Sequence, residues 1–157
     1  MEFRRFRETD APACGALFFR AVHEGAASRY TEEQRAAWAP WRVPPPEVLP
    51  RLAAKLAEEI TWLAEEDGAL QGFMSLRKDG YLDMAFVAPE RMGTGLAGQL
   101  YDRIEAAARA LGLAHLTSEA SHFSRAFFAR RGWQVDAPQQ IERRGVRIEN
   151  FRMSKTL

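Results

Sequence analysis

The stretch Arg91-Met92-Gly93-Thr94-Gly95-Leu96-Ala97 carries the strongest chemical signal in this sequence. It follows Met84-Ala85-Phe86-Val87-Ala88-Pro89-Glu90, which begins as a strand, and it opens a long helical pattern. Two glycines let a backbone come close to a ligand. A helix start adds unpaired N–H groups at the positive end of its dipole. Together they suit a phosphate or pyrophosphate. Gly93-Thr94-Gly95-Leu96-Ala97-Gly98 also spells the dinucleotide fingerprint G-x-G-x-x-G. That fingerprint should follow its strand at once, whereas Ala88 to Met92 intervene here. The 59 residues after Gly98 also cannot supply the repeated βαβ units it needs. No Gly-Lys-Ser/Thr follows, so a Walker loop is absent.

Other residues offer weaker signals. Asp83 is a charge in an otherwise apolar strand; an ion pair or a functional carboxylate would explain it. His122 falls at a helix start, where a surface position is the simpler reading, and His23 and His115 have no supporting pattern. Three scattered histidines and the single Cys14 make no metal site. Cys14 lies in an apolar helical stretch and reads as a small buried residue. Tyr30, Trp38 and Trp41 flank prolines; their rings can line a pocket or pack under a loop.

The elements that must position these groups follow from periodicity. Glu2 to Arg7 reads as a short strand. Asp10 and Pro12 mark a helix start, and Ala13, Leu17, Phe18 and Ala21 carry that helix to about Glu24. Thr31 and Gln34 form a capping box for a second helix bearing Trp38. Five prolines between Ala39 and Pro50 enforce a stiff loop before a helix near Glu47 to Glu58. Ile60 to Ala64, Ala69 to Arg77 and Tyr81 to Val87 read as an antiparallel meander turned at Asp67-Gly68 and Asp79-Gly80. Leu96, Leu100, Ile104, Ala107 and Leu111 form a helical stripe stopped by Gly112. A strand at His115 to Glu119 and a helix at Phe123 to Arg131 follow. Strands near Trp133 to Glu142 and Val146 to Met153 end the chain. The order β-α-α-α-β-β-β-α-β-α-β-β describes a mixed α+β, or α/β, fold.

The chain of 157 residues suits one domain over positions 1–157. Its 22 basic and 21 acidic residues give a net charge of +1, so nothing electrostatic calls for nucleic acid. No apolar run reaches the length of a membrane span, and the N-terminus lacks a hydrophobic signal core. A reduced, cytoplasmic protein is expected.

The stretch around the glycine turn resembles the signature of the GNAT superfamily of acyl-CoA N-acyltransferases, V-x-P-x-x-[QR]-x-x-G-x-[GA] with some variation in spacing. Val87, Pro89, Gly93 and Gly95 carry the match. Ser121 to Trp133 is similar to the family's N-x-x-A-x-x-x-[FY]-x-x-x-G-F segment, and the element order agrees along nearly the whole chain. The resemblance implies a mostly antiparallel sheet of about seven strands, the fourth and fifth splayed, with helices on its faces. Three positions depart from the pattern. Glu90 stands at the family's Gln/Arg position with Arg91 one place later, Ser121 replaces asparagine, and Phe128 replaces the frequent general-acid tyrosine. Glu90 should therefore point away from the pyrophosphate, and Arg91 should supply positive charge.

The resemblance implies direct attack of a deprotonated amine on the thioester of acetyl-CoA, with no metal. A backbone N–H near Phe86 or Val87 would meet the oxyanion. Arg91, Met92, Gly93, Thr94, Gly95, Leu96, Ala97, Ser121 and Phe128 would border the coenzyme. Glu119, at the end of the second splayed strand, is the first candidate base and Asp83 the second. Tyr30 and Trp38 fall where the family recognises its acceptor, a small-molecule or peptide amine. Phe128 leaves open a non-catalytic acyl-CoA-binding module, and the aromatics leave open a partner-binding domain. Pairing of the last strand with a neighbour would make a homodimer.

Overall fold

The computed structural model describes all 157 residues. Strand β1 (Glu2–Arg5) leads into helix α1 (Ala11–Arg20), which widens into a π-helical turn over Ala21–Gly25. The helix α2 (Glu32–Trp38) starts at the capping box expected of Thr31 and Gln34, closed by bonds of 3.0 and 3.1 Å. The proline-rich loop delivers α3 (Leu49–Glu58). Asp10 does not cap α1 through its side chain. Its carboxylate instead accepts from Arg7 N at 2.7 Å and binds the Arg4 guanidinium at 2.8 Å.

The meander forms as β2 (Ile60–Glu66), β3 (Ala69–Leu76) and β4 (Leu82–Val87). Asp67 and Gly68, at φ 51° and 77°, make its first turn. With β1 they build a four-stranded antiparallel sheet ordered β1-β2-β3-β4. The helix α4 (Leu96–Ala110) crosses to β5 (His115–Ala120), and α5 (His122–Arg130) leads to the hairpin β6 (Gln134–Arg143) and β7 (Val146–Thr156). These last strands form a three-stranded sheet ordered β5-β7-β6. The strand β7 is therefore central: β6 pairs with it from Val146 to Ser154 and β5 from Phe151 to Thr156. The sheet's open edge is β6, interrupted by Pro138 and by a bulge near Val135.

The largest core cluster joins the two sheets through α4, whose Leu96, Leu100, Tyr101, Ile104 and Ala108 are buried with Met74, Leu116 and Met153. The expected stripe is rotated at its end: Ala108 is buried while Leu111 is 49% exposed, because Gly112 (φ 73°) turns the chain away. Cys14 lies wholly buried in a second cluster with Leu17, Leu56 and Phe73, and desolvation pushes its thiol up to about 12. It is a packing residue. No helix is long and apolar enough to cross a membrane.

Candidate active site

The strands β4 and β5 lie side by side yet touch through a single parallel bridge between Tyr81 and Thr117. Thr117 N donates to Gly80 O at 3.0 Å, and Ser118 Oγ donates to Leu82 O at 2.8 Å. Beyond these contacts no ladder joins the strands. The splay expected between the fourth and fifth strands is present.

A β-bulge shapes β4 at the start of this gap. Ser75 pairs with Met84 and Leu76 with Leu82, so Asp83 is the extra residue. Met84 N bonds to Ser75 Oγ at 3.2 Å, and Ala88 N bonds to Gln71 O at 2.8 Å. By the alternation of an extended strand, residues 84, 86 and 88 turn their N–H groups to β3. Those of Ala85 and Val87 face the gap. Of the two residues expected to supply an oxyanion donor, Val87 is oriented to do so. Phe86 contributes its ring.

Three connected clefts follow the gap. A polar one of about 280 Å³ meets an apolar one of about 240 Å³ at Trp38, Ala85, Phe86, Ser121, Ser124 and Phe128. The apolar cleft continues into a third of about 290 Å³ at the glycine turn, sharing Val87, Met92, Gly93, Ala97, Phe127 and Arg130 with it. At that turn Gly93 and Gly95 hold φ values of 76° and 88°, and nothing lies within 4 Å of where their Cβ atoms would be. No side chain caps α4, so its first N–H groups stay available to an anion. Arg130 and Arg131 from the end of α5 line this cleft, and sequence periodicity gave no sign that they would reach it.

The expected coenzyme residues divide by placement. Met92, Gly93 and Ala97 line two clefts and Gly95 one, whereas Leu96 is buried in the core. Thr94 turns its hydroxyl back to Arg91 O. Arg91 borders the third cleft, but its guanidinium binds Glu66 and Gln71. Glu90 points away, to Arg20 at 2.8 Å. The Ser121 hydroxyl caps α5 by accepting from Phe123 N and Ser124 N. Phe128 is 2% exposed, with its ring 4.8 Å from that of Trp133.

The polar cleft gathers Asp83, Glu119, Lys55, Arg143 and Asn150 beside Phe18, Tyr30 and Trp38. Glu119 is exposed; its Oε2 accepts from Gln139 Nε2 at 2.9 Å and its Oε1 from Tyr81 Oη at 3.4 Å. Burial and the Glu119 charge push the Tyr81 phenol up to about 12. Asp83 is half-buried, with Lys55 Nζ 2.7 Å from its Oδ2. The ion pair foreseen for it is therefore made, yet the carboxylate still lines the cleft. Tyr30 is buried and committed: its hydroxyl donates to Glu149 O and accepts from His122 N, each at 3.0 Å. Trp38 packs edge-on against it at 5.4 Å. Trp41 lies outside, under the Arg144 guanidinium. Asn150, with a buried and unpartnered Oδ1, was not foreseen, nor was Glu59 behind Asp83. No group of three or more His, Cys, Asp or Glu side chains converges as metal ligands do.

The sequence profile of the acetyltransferase (GNAT) domain matches residues 26–157. The chain belongs to the GNAT acetyltransferase family. The uncharacterized N-acetyltransferase YafP of Escherichia coli K12 is 32% identical over 153 residues, spanning 98% of this chain and 94% of the relative. The structure of a GCN5-related N-acetyltransferase from Rhodopseudomonas palustris superposes with a TM-score of 0.91 at 31% identity, over 99% of this chain and 95% of that one. PaiA N-acetyltransferase from Thermoplasma acidophilum, solved in complex with coenzyme A, shares the GNAT fold. Its TM-score is 0.77 at 16% identity, over 99% and 98% of the two chains.

Proposed function

We propose that this GNAT domain, one unit over positions 1–157, transfers an acetyl group from acetyl-CoA to an amine of a small molecule or peptide in the cytoplasm. The observation that carries this reading is the continuity of the three clefts through the gap between β4 and β5. An anion site, an apolar groove and a polar cleft lie in the order in which a pyrophosphate, a pantetheine arm and an amine would need them. The residues fit such a cosubstrate. The N–H groups of the turn Gly93 to Ala97, with Arg130 and Arg131, hold the pyrophosphate. Phe86, Phe127 and Phe128 flank the arm, and Met92 closes it from the turn. The Val87 N–H faces the place where negative charge develops on the acyl oxygen.

In the polar cleft Tyr30 and Trp38 wall the acceptor. Glu119, exposed at the cleft, draws the cationic amine, and Asp83, half-buried beside the gap, accepts its proton. Phe128 is a core ring in this arrangement, so the thiolate takes its proton from another group or from water. A homodimer through the β6 edge is compatible with the same site.

Isothermal titration with acetyl-CoA, coenzyme A and NADH tests the coenzyme half. Micromolar binding of the first two and none of NADH is expected. Thiol release with a panel of amines then separates a transferase from an acyl-CoA-binding module, which would bind and never turn over.

A further inference from the structure

The carboxyl of Glu59, at the C-terminal end of α3, is 6% exposed and has the Asp83 carboxylate as a neighbouring charge. Two buried acceptors there, Glu59 Oε1 and Asp83 Oδ2, have no donor. Lys55 Nζ lies 2.7 Å from Asp83 Oδ2 and balances its charge. Ser75 Oγ accepts from Met84 N at 3.2 Å, and the nearby Ser75 hydroxyl favours the charged form of Glu59. Two neighbouring carboxylates facing one ammonium group carry an excess negative charge in a site shut off from water, which one shared proton removes.

We propose that Glu59 and Asp83 act as one proton-sharing pair, in which Glu59 is the positioning residue that makes Asp83 an effective acceptor for the proton of the amine. This rests on the transferase reading above and assigns Glu59 a part in it. Protons and charges balance without a further reactant. The doubly ionised pair takes one proton from the ammonium group, through Asp83 at the cleft, and becomes singly protonated. The neutral amine attacks the thioester, its remaining extra proton leaves to solvent, and coenzyme A departs as thiol or thiolate. The pair then returns its proton to water.

The environment sets the working range of the pair. Burial first, and then Asp83, push the Glu59 carboxyl up to about 7, against the Ser75 hydroxyl and the Lys55 charge. Arg77 and Tyr81, from the turn into β4, are the further titratable groups that feel the Asp83 charge. A base that titrates near neutrality takes a proton from an ammonium group far better than a lone carboxylate can.

The test is the pH profile of kcat/KM, with acetyl-CoA and the best amine of the panel, in wild type, Glu59→Gln and Lys55→Met. Acetyl-CoA affinity is followed in parallel. Glu59→Gln should move the ascending limb down by more than one pH unit and lower kcat about tenfold or more at pH 7.5, with coenzyme affinity unchanged. Lys55→Met, at an exposed site, should move the limb up. Superimposable profiles in all three proteins would overturn the pairing and leave the transferase reading intact. A wild type that binds acetyl-CoA and acetylates no amine would overturn the transferase reading and the pairing with it. Carboxyl-carbon NMR supplies a readout independent of turnover. Glu59 and Asp83 should titrate together, and Asp83→Asn should lower the Glu59 midpoint; independent titration would overturn the pairing.

Discussion

Gly98 and Arg131 occupy one another's space: a Cβ on Gly98, in the first turns of α4, would overlap the Arg131 guanidinium. The third glycine of the G-x-G-x-x-G match is therefore room for an arginine side chain. That side chain is also held by Asp102, and it lines the cleft at the glycine turn.

Gly98→Ala should accordingly weaken coenzyme A binding by roughly threefold to tenfold, about 1 kcal/mol. The helix itself should gain slightly from the better helix former. Titration calorimetry and thermal denaturation read the two effects separately. Arg131→Ala in the Gly98→Ala background should add little further loss, because both changes remove the same contact. Gly93→Val differs in kind. Open space surrounds Gly93, so the penalty comes from its φ of 76°, and both stability and coenzyme affinity should fall.

Two carboxyls should bend the pH dependence of stability in opposite directions. The Arg4 guanidinium holds Asp10 below the usual carboxylate range, so its contribution is present above about pH 4 and fades as pH falls through its folded value. Glu59 is raised to about 7, so its contribution is full below about pH 4 and is lost as pH rises to 7. Asp10→Asn should cost about 1–2 kcal/mol at pH 7 and progressively less in acid. Glu59→Gln should stabilise the fold by about 1–3 kcal/mol at pH 8 and change little at pH 5. Urea denaturation across that range checks both signs.

Asn150 is 8% exposed and leaves Oδ1 without a partner against the polar cleft. Asn150→Leu should raise the stability of the free protein by about 1 kcal/mol, because an unmet acceptor is removed. The KM for the acceptor should rise severalfold, with coenzyme affinity unaltered. Steady-state kinetics with the amine varied, set beside a melting curve, decides it.

Tyr30→Phe should cost about 1–2 kcal/mol, since Glu149 O and His122 N both lose a partner. The loss falls at the first residue of α5, so amide exchange at His122 should speed up more than exchange in α4.

What the sequence showed followed from how local each signal is. The Thr31 box, the Asp67-Gly68 turn and the glycine turn into α4 each lie within a few residues, and each formed where its pattern stands. Groups that reach the site from afar left no such mark. Arg131 sits 33 positions beyond Gly98, and only the packing of α5 on β6 and β7 brings it over that glycine. Glu59 fell between the helix near Glu47 to Glu58 and the strand from Ile60 and carried no signal, because the bulge that sets Asp83 apart is a matter of register between β3 and β4. Leu111 satisfied the helical period and still faces solvent, since Gly112 stops the helix before its last turn meets the sheet. The central place of β7 is likewise a matter of strand order, which periodicity does not encode.

The lone Tyr81–Thr117 bridge means that the backbone ladders of the two sheets run almost independently past one another at β4 and β5, although one apolar core underlies both. A ligand laid between those strands would serve as a missing rung, tying the two ladders together. Its binding should then register throughout both sheets as slowed amide exchange and a sharper melting transition, far from any atom it touches.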